Sequence, residues 1–235
     1  MVAMRTGMRR EPHTIWHPSI VLFSMVALLI PTLLFSVAAA GTGVLPGDVS
    51  TTLFVQTHVP AQAAWLFEFV NWVGTSLVAS LITMLIGLLL LALRQPVAAT
   101  MILLTFPLHV SNAVLKTFLK SPRPTEAFVS VTEFPGGFGF PSGHVMGATL
   151  LYGMLLILAP RLTARRPLRL AIQAGAVVMM ILAGISRIYV GAHWPSDVVG
   201  GYLWGSIVLL GSVLAIRICL RLSDAIIGPV REHRP

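Results

Sequence analysis

Six stretches of this chain run close to twenty residues with almost no charge: Ser19–Ala40, one within Ala61–Leu93, Val97–Phe118, Gly143–Pro160, Leu170–Tyr189 and Val198–Ile218. About 20 mostly apolar residues in a helix are what the hydrocarbon core of a bilayer requires. Inside that core every backbone N–H and C=O must find its partner within the protein, which a helix achieves on its own. The predicted fold is therefore all-α, a polytopic bundle of six transmembrane helices. Composition agrees. Of the 235 residues 56% are hydrophobic and only 10% charged, where a soluble domain carries about 25% charged residues; the mean hydropathy is +0.86.

Helix punctuation divides the spans. Pro96 opens the third, Pro160 and Pro167 bracket the connection from the fourth to the fifth, and Pro195 suits the first turn of the sixth, where its missing N–H costs nothing. The second segment is long enough to carry a short interfacial helix around Trp65–Trp72 before its span, with both indoles at headgroup level. Residues 37–41, Val-Ala-Ala-Ala-Gly, resemble a signal-peptide cleavage site. The apolar run before them exceeds the usual ~7–15 residues, so a retained helix is expected. With no repeat, low-complexity tract or second soluble region, the chain reads as a single integral-membrane domain, 1–235, its motif-bearing core at about 97–218.

The formal net charge is +8, which in a soluble protein would suggest nucleic acid. Its distribution says otherwise. With the N-terminus cytoplasmic, one side receives Arg5, Arg9, Arg10, Arg94, Arg161, Arg165, Arg166, Arg169, Arg217, Arg221, Arg231 and Arg234, and the other only Lys116, Lys120, Arg123 and Arg187. That is a positive-inside pattern. It predicts cytoplasmic termini in a cell (inner) membrane, contact with membrane lipids and no nucleic-acid partner. The single cysteine, Cys219, has no internal partner with which to form a disulfide.

The four outlying cations keep informative company. Lys116, Lys120 and Arg123 end the third span; Ser142, Gly143 and His144 open the fourth; Arg187 and His193 follow the fifth, and Asp197 opens the sixth. In a six-span bundle all three clusters fall at one face, the extracytoplasmic one, and together they make an anion site. Arginine offers a planar fork matched to phosphate, lysine a point charge. A helix N-terminus at Gly143 adds free N–H groups and a partial positive charge. A carboxylate at Asp197 can reach the Nδ1–H of His193 and leave Nε2 as a nucleophile. His144 would then act as general acid and, later, as general base.

Taken singly, each of these residues has an ordinary explanation: a snorkelling lysine, headgroup-anchoring arginines, a serine cap, structural histidines. In this order and spacing, Lys116 with Arg123-Pro124, then Pro141-Ser142-Gly143-His144, then Ser186-Arg187 with His193 and Asp197, they resemble the three signature motifs of the type 2 phosphatidic acid phosphatase superfamily. Its soluble relatives include vanadium haloperoxidases and bacterial acid phosphatases. The resemblance implies a metal-independent lipid phosphatase working through a phosphohistidine. It makes His193 the nucleophile, Asp197 its orienting partner and His144 the acid/base, with Lys116, Arg123, Ser142, Gly143 and Arg187 holding phosphate. Lys120 lies outside the motif.

No cofactor is implied, and the seven histidines present no metal-ligand set. The motifs read phosphoryl and not the lipid tail. Undecaprenyl diphosphate, phosphatidic acid and phosphatidylglycerophosphate all fit, the first preferred for a bacterial envelope. A phosphotransferase and a non-catalytic lipid or anion transporter are the rival readings; oligomeric state is not legible. His109, Asn112, Glu68 and Asn71 are secondary candidates, Gly201 and Gly205 a helix-packing pattern. The glycine- and phenylalanine-rich stretch from Thr132 to Phe140 is read either as a lip over the site or as plain turn chemistry.

Overall fold

The computed structural model describes residues 18–227, and within them all regular structure is helical. Arg5, Arg9, Arg10, Arg231 and Arg234 lie outside the described residues. Helix α1 (Pro18–Thr42) is followed by a short α2 (Asp48–His58), by α3 (Ala64–Val73) and by α4 (Ser76–Ala92). The third span comes in three consecutive pieces, α5 (Pro96–Leu103), α6 (Thr105–Leu108) and α7 (Val110–Leu119). The long helices α8 (Gly143–Leu162), α9 (Arg166–Tyr189) and α10 (Pro195–Ile227) complete the chain.

Five helices are long and apolar enough to cross a membrane, and a sixth span results if α3 and α4, bent by 68° where they meet, are taken together. The short helix expected around Trp65–Trp72 is α3, with both indoles more than half exposed. The expectation of one continuous helix over Val97–Phe118 gives way to local breaks at Leu104 and His109. Pro107 lacks the N–H that would continue the ladder, and its ring crowds the carbonyl four residues back.

The centre of the bundle is α8, packed against α9 and α10, while α1 lies along α10. Apolar residues of α4, α5, α8 and α10, among them Leu90, Ile102, Leu150, Met154 and Val213, form the main core. Gly201 and Gly205 let α10 approach α8 closely: a Cβ on Gly201 would lie 2.9 Å from the Ser142 carbonyl oxygen, and one on Gly205 2.8 Å from the Thr149 Cβ. The glycine spacing is thus a packing device, as the sequence suggests. Many large apolar side chains, including Phe23, Leu34, Leu77 and Leu85, face outward and exposed, as expected where lipid is the solvent.

Helix α2 has no counterpart in the sequence reading. Its first residue, Asp48, is buried and accepts hydrogen bonds from the Ser196 backbone N–H (2.9 Å) and the Ser196 hydroxyl (2.7 Å). This fastens α2 to the first turn of α10. Farther along α2, Gln56 donates to the carbonyls of Ser130 (2.7 Å) and Tyr189 (3.0 Å) and accepts from the Ser130 N–H (3.1 Å). The loop before α8 and the end of α9 are thereby tied together, and the three sequence-distant clusters meet at one end of the bundle.

Candidate active site

The turn between α9 and α10 is short and strongly hydrogen-bonded. The N–H groups of Ala192 and His193 both donate to the Arg187 carbonyl at 3.2 Å, folding the chain back over the last turn of α9. Pro195 then opens α10, and Asp197, in its first turn, reaches back so that its Oδ2 accepts the Trp194 N–H at 3.0 Å. This is one half of the reciprocal cap common at helix starts. The same oxygen lies 3.2 Å from His193 Nδ1, both side chains being buried.

The other imidazole nitrogen, Nε2, lies 3.1 Å from Arg123 Nη1. A guanidinium has donors only, so Nε2 is the acceptor and the ring proton sits on Nδ1, toward Asp197. Burial first, then the charges of Arg123, Arg187, Lys116 and His144, holds the His193 imidazole well below its ordinary range. His193 is therefore neutral at physiological pH, with its Nε2 lone pair directed at the cations.

Arg123 also donates to the carbonyls of Gly137 (3.0 Å) and Ala192 (2.8 Å). Lys116, from the last turn of α7, donates to those of Phe138 (2.5 Å) and Gly139 (3.0 Å). These two cations hold the glycine-rich stretch against the site, so that segment is a structural wall of the cluster. Gly139 is required there, since a Cβ would come within 2.8 Å of Asp197 Oδ2. Lys120 is exposed and stands apart.

The start of α8 is positioned by the third span. Asn112 donates to the Pro141 carbonyl (3.0 Å), and His109 Nε2 lies 2.9 Å from the Gly143 carbonyl, which can only accept. The Ser142 N–H donates to the Asp197 carbonyl at 2.9 Å, stitching the mouth of α8 to the first turn of α10. His109 and Asn112 thus bond a neighbouring helix and fix this turn. Ser142 occupies the cap position of α8 without a side-chain capping bond. The His144 ring packs against Gly74 at the bend between α3 and α4, where a Cβ would lie 2.5 Å from the imidazole. Beneath it a cavity opens between α4, α6, α8 and α9, lined among others by Thr83, Phe106, Gly147, Leu151 and Met179.

Arg187 is almost fully buried and pairs with Glu133 of the outer loop at 2.9 Å. Asn71, on α3, accepts from Arg187 Nη1 and donates to Glu133 Oε2 (2.7 Å). The exposed Glu68 is not part of this arrangement.

The buried polar atoms without a hydrogen-bond partner include Ser142 Oγ, His144 Nε2 and Arg187 Nε. Leaving such groups unpaired costs about 1–3 kcal/mol each. All three belong to the predicted phosphate site, and all three can donate to an oxyanion. Among the described residues, no three of His, Cys, Asp and Glu come together as a metal site.

Sequence reasoning missed Asp48, Gln56 and Glu133. For Glu133 a signal existed: the chain has eight acidic residues in all, and one placed in a loop beside four cations invites pairing.

Fold and site together define a polytopic helical membrane protein with a histidine–carboxylate dyad set among clustered cations at one end of the bundle. The sequence matches the PAP2 superfamily over residues 96–220, more than half the chain, and the chain belongs to that family. Over 189 residues it is 28% identical to phosphatidylglycerophosphatase B of Bacillus subtilis, spanning 78% of this chain and 90% of that protein. It is 30% identical over 102 residues to the undecaprenyl-diphosphatase of Sulfolobus acidocaldarius, 43% of this chain and 40% of that one. The crystal structure of a transmembrane PAP2 type phosphatidylglycerolphosphate phosphatase from Bacillus subtilis superposes with a TM-score of 0.66 at 21% identity, covering 90% of this chain and 100% of that one; this last likeness concerns the fold.

Proposed function

We propose that this protein is a metal-independent hydrolase of lipid phosphates or diphosphates, working through a phosphohistidine at the extracytoplasmic face as a single membrane domain. The observation that carries the proposal is the state of His193. Asp197 holds the proton on Nδ1, and Nε2 faces the cation cluster as an acceptor.

An arriving phosphoryl group is a stronger acceptor for Arg123 than a neutral imidazole, so the guanidinium moves from Nε2 onto a phosphoryl oxygen and frees the lone pair. His193 Nε2 then attacks phosphorus in line as the bond from phosphorus to the leaving oxygen breaks. The negative charge of the bound phosphoryl group offsets the cations around His144, which carries a proton at this step and gives it to that oxygen. Water next attacks the phosphohistidine, gives a proton back to His144, and inorganic phosphate departs with the imidazole restored. Lys116, Arg123 and Arg187, with Ser142 Oγ and the N–H groups at Gly143, stabilise the charge that gathers on the equatorial oxygens.

The lipid character of the substrate is supported by the names of both curated relatives and by the cavity below His144, which gives a chain a place among the helices. Undecaprenyl diphosphate, phosphatidic acid and phosphatidylglycerophosphate are the candidates. Detergent-purified protein assayed with all three, EDTA present, beside His193→Ala, decides the matter. Phosphate release by the parent alone is expected. Equal release by both would remove His193 as nucleophile, and none from either would favour transfer to another acceptor or transport.

A further inference from the structure

A guanidinium has two places where it can grip an oxyanion with two parallel bonds: its end, through Nη1 and Nη2, and its side, through Nε and Nη2. In Arg187 the end is taken. Nη1 lies 2.9 Å from Glu133 Oε2 and Nη2 3.4 Å from Glu133 Oε1, while Nη1 also donates to Asn71. The side remains, and its Nε is buried without a partner.

Glu133 does not arrive on a loose segment. Its neighbour Thr132 donates through its N–H to the Val190 carbonyl at 3.0 Å, and Ser130 is held by Gln56, which also bonds Tyr189. The carboxylate is therefore fixed to the end of the same helix that carries Arg187. Asn71 closes the ring by donating to Glu133 Oε2 at 2.7 Å. A long side chain held at one end of its guanidinium has lost most of its freedom to swing.

We infer that Glu133 and Asn71 are positioning residues that lock the Arg187 guanidinium so that its Nε–Nη2 side faces the phosphoryl group. This rests on the reading of Arg187 as a phosphate ligand. It makes a concrete distinction. A carboxylate that competed with substrate for Arg187 would weaken phosphate binding, and its removal would tighten it. A carboxylate that holds Arg187 in place strengthens phosphate binding, and its removal loosens it.

Inorganic phosphate, the product, serves as probe: its inhibition constant is measured for the full-length parent, Glu133→Gln, Asn71→Ala, Arg187→Ala and the double variant of Glu133 and Arg187. The expected result is roughly tenfold weaker inhibition for Glu133→Gln, a smaller loss of the same sign for Asn71→Ala, and no further loss when Glu133→Gln is added to Arg187→Ala. That non-additivity is what a merely structural role would not produce. Tighter or unchanged inhibition in Glu133→Gln, with Arg187→Ala weakened, overturns the inference and leaves the phosphate site standing. Unchanged inhibition in Arg187→Ala overturns both.

Discussion

At His193 two neighbours divide the imidazole between them, Asp197 on the Nδ1 side and Arg123 on the Nε2 side. Asp197→Asn keeps the shape but can present an amide N–H to the ring, favouring the wrong tautomer. The expected outcome is a fall in kcat on the order of 10⁴ with KM little changed, by analogy with the corresponding change in serine-protease triads. Steady-state kinetics on the purified variant checks it. The lowered affinity of His193 for protons has a consequence for stability as well. Its unfolded form takes up a proton near about pH 6.5, whereas the folded form resists until well below. Its contribution is therefore complete above that pH and is lost as pH falls beneath it. The parent should lose more thermal stability than His193→Asn between about pH 7 and about pH 5; an equal loss would mean His193 is not the group responsible. The contact between His193 and Asp197 is legible in the sequence because a spacing of four residues across a helix start carries it. That of Asp48 is not, because its partner Ser196 lies 148 residues away; Glu133 is marked only by being an acid among cations, and nothing local singles out Arg187, 54 residues away, as its partner.

Among the elements, α8 opens beside His144 and α10 beside Asp197, and the two helices must stay in register. Gly205 faces Thr149, and a methyl group there would begin 2.8 Å from the Thr149 Cβ. Gly205→Ala is expected to cost about 1–3 kcal/mol through overpacking, seen as a lowered unfolding midpoint in detergent; an unchanged midpoint would mean the helices can separate freely. The long apolar helices were evident from hydropathy alone, since a bilayer sets both their length and their composition. The interruptions were not. Pro107 signals one break in the third span, but the 68° turn between α3 and α4 has no such local mark; at it Gly74 leaves room for the His144 ring, a contact made across the fold. Helix α2 is not legible because its apolar run, Leu53 to Val55, is only three residues long between polar ones, and the helix is held in place chiefly by Asp48 and Gln56.

For the molecule as a whole, the bundle gathers its motifs at one end, while the arginines at 94, 161, 165, 166 and 169 occupy the opposite connections between helices. If the positive-inside distribution sets the orientation, the site faces outward. Cys219 replaced by serine gives a background for single reporters. A cysteine at Gly136 should then react with a membrane-impermeant thiol reagent in intact cells, and one at Thr163 only after permeabilisation; the reverse pattern would invert the topology. The proposed mechanism turns on a covalent event at one nitrogen, His193 Nε2. The most direct measurement is therefore an alkaline quench of the parent protein during turnover of a lipid phosphate, followed by peptide mass spectrometry, since phosphohistidine survives alkali. A phosphoryl group on His193, absent from His193→Ala, is the result expected. Sustained turnover with His193 unmodified, or a phosphoryl group on another residue, would contradict the assignment.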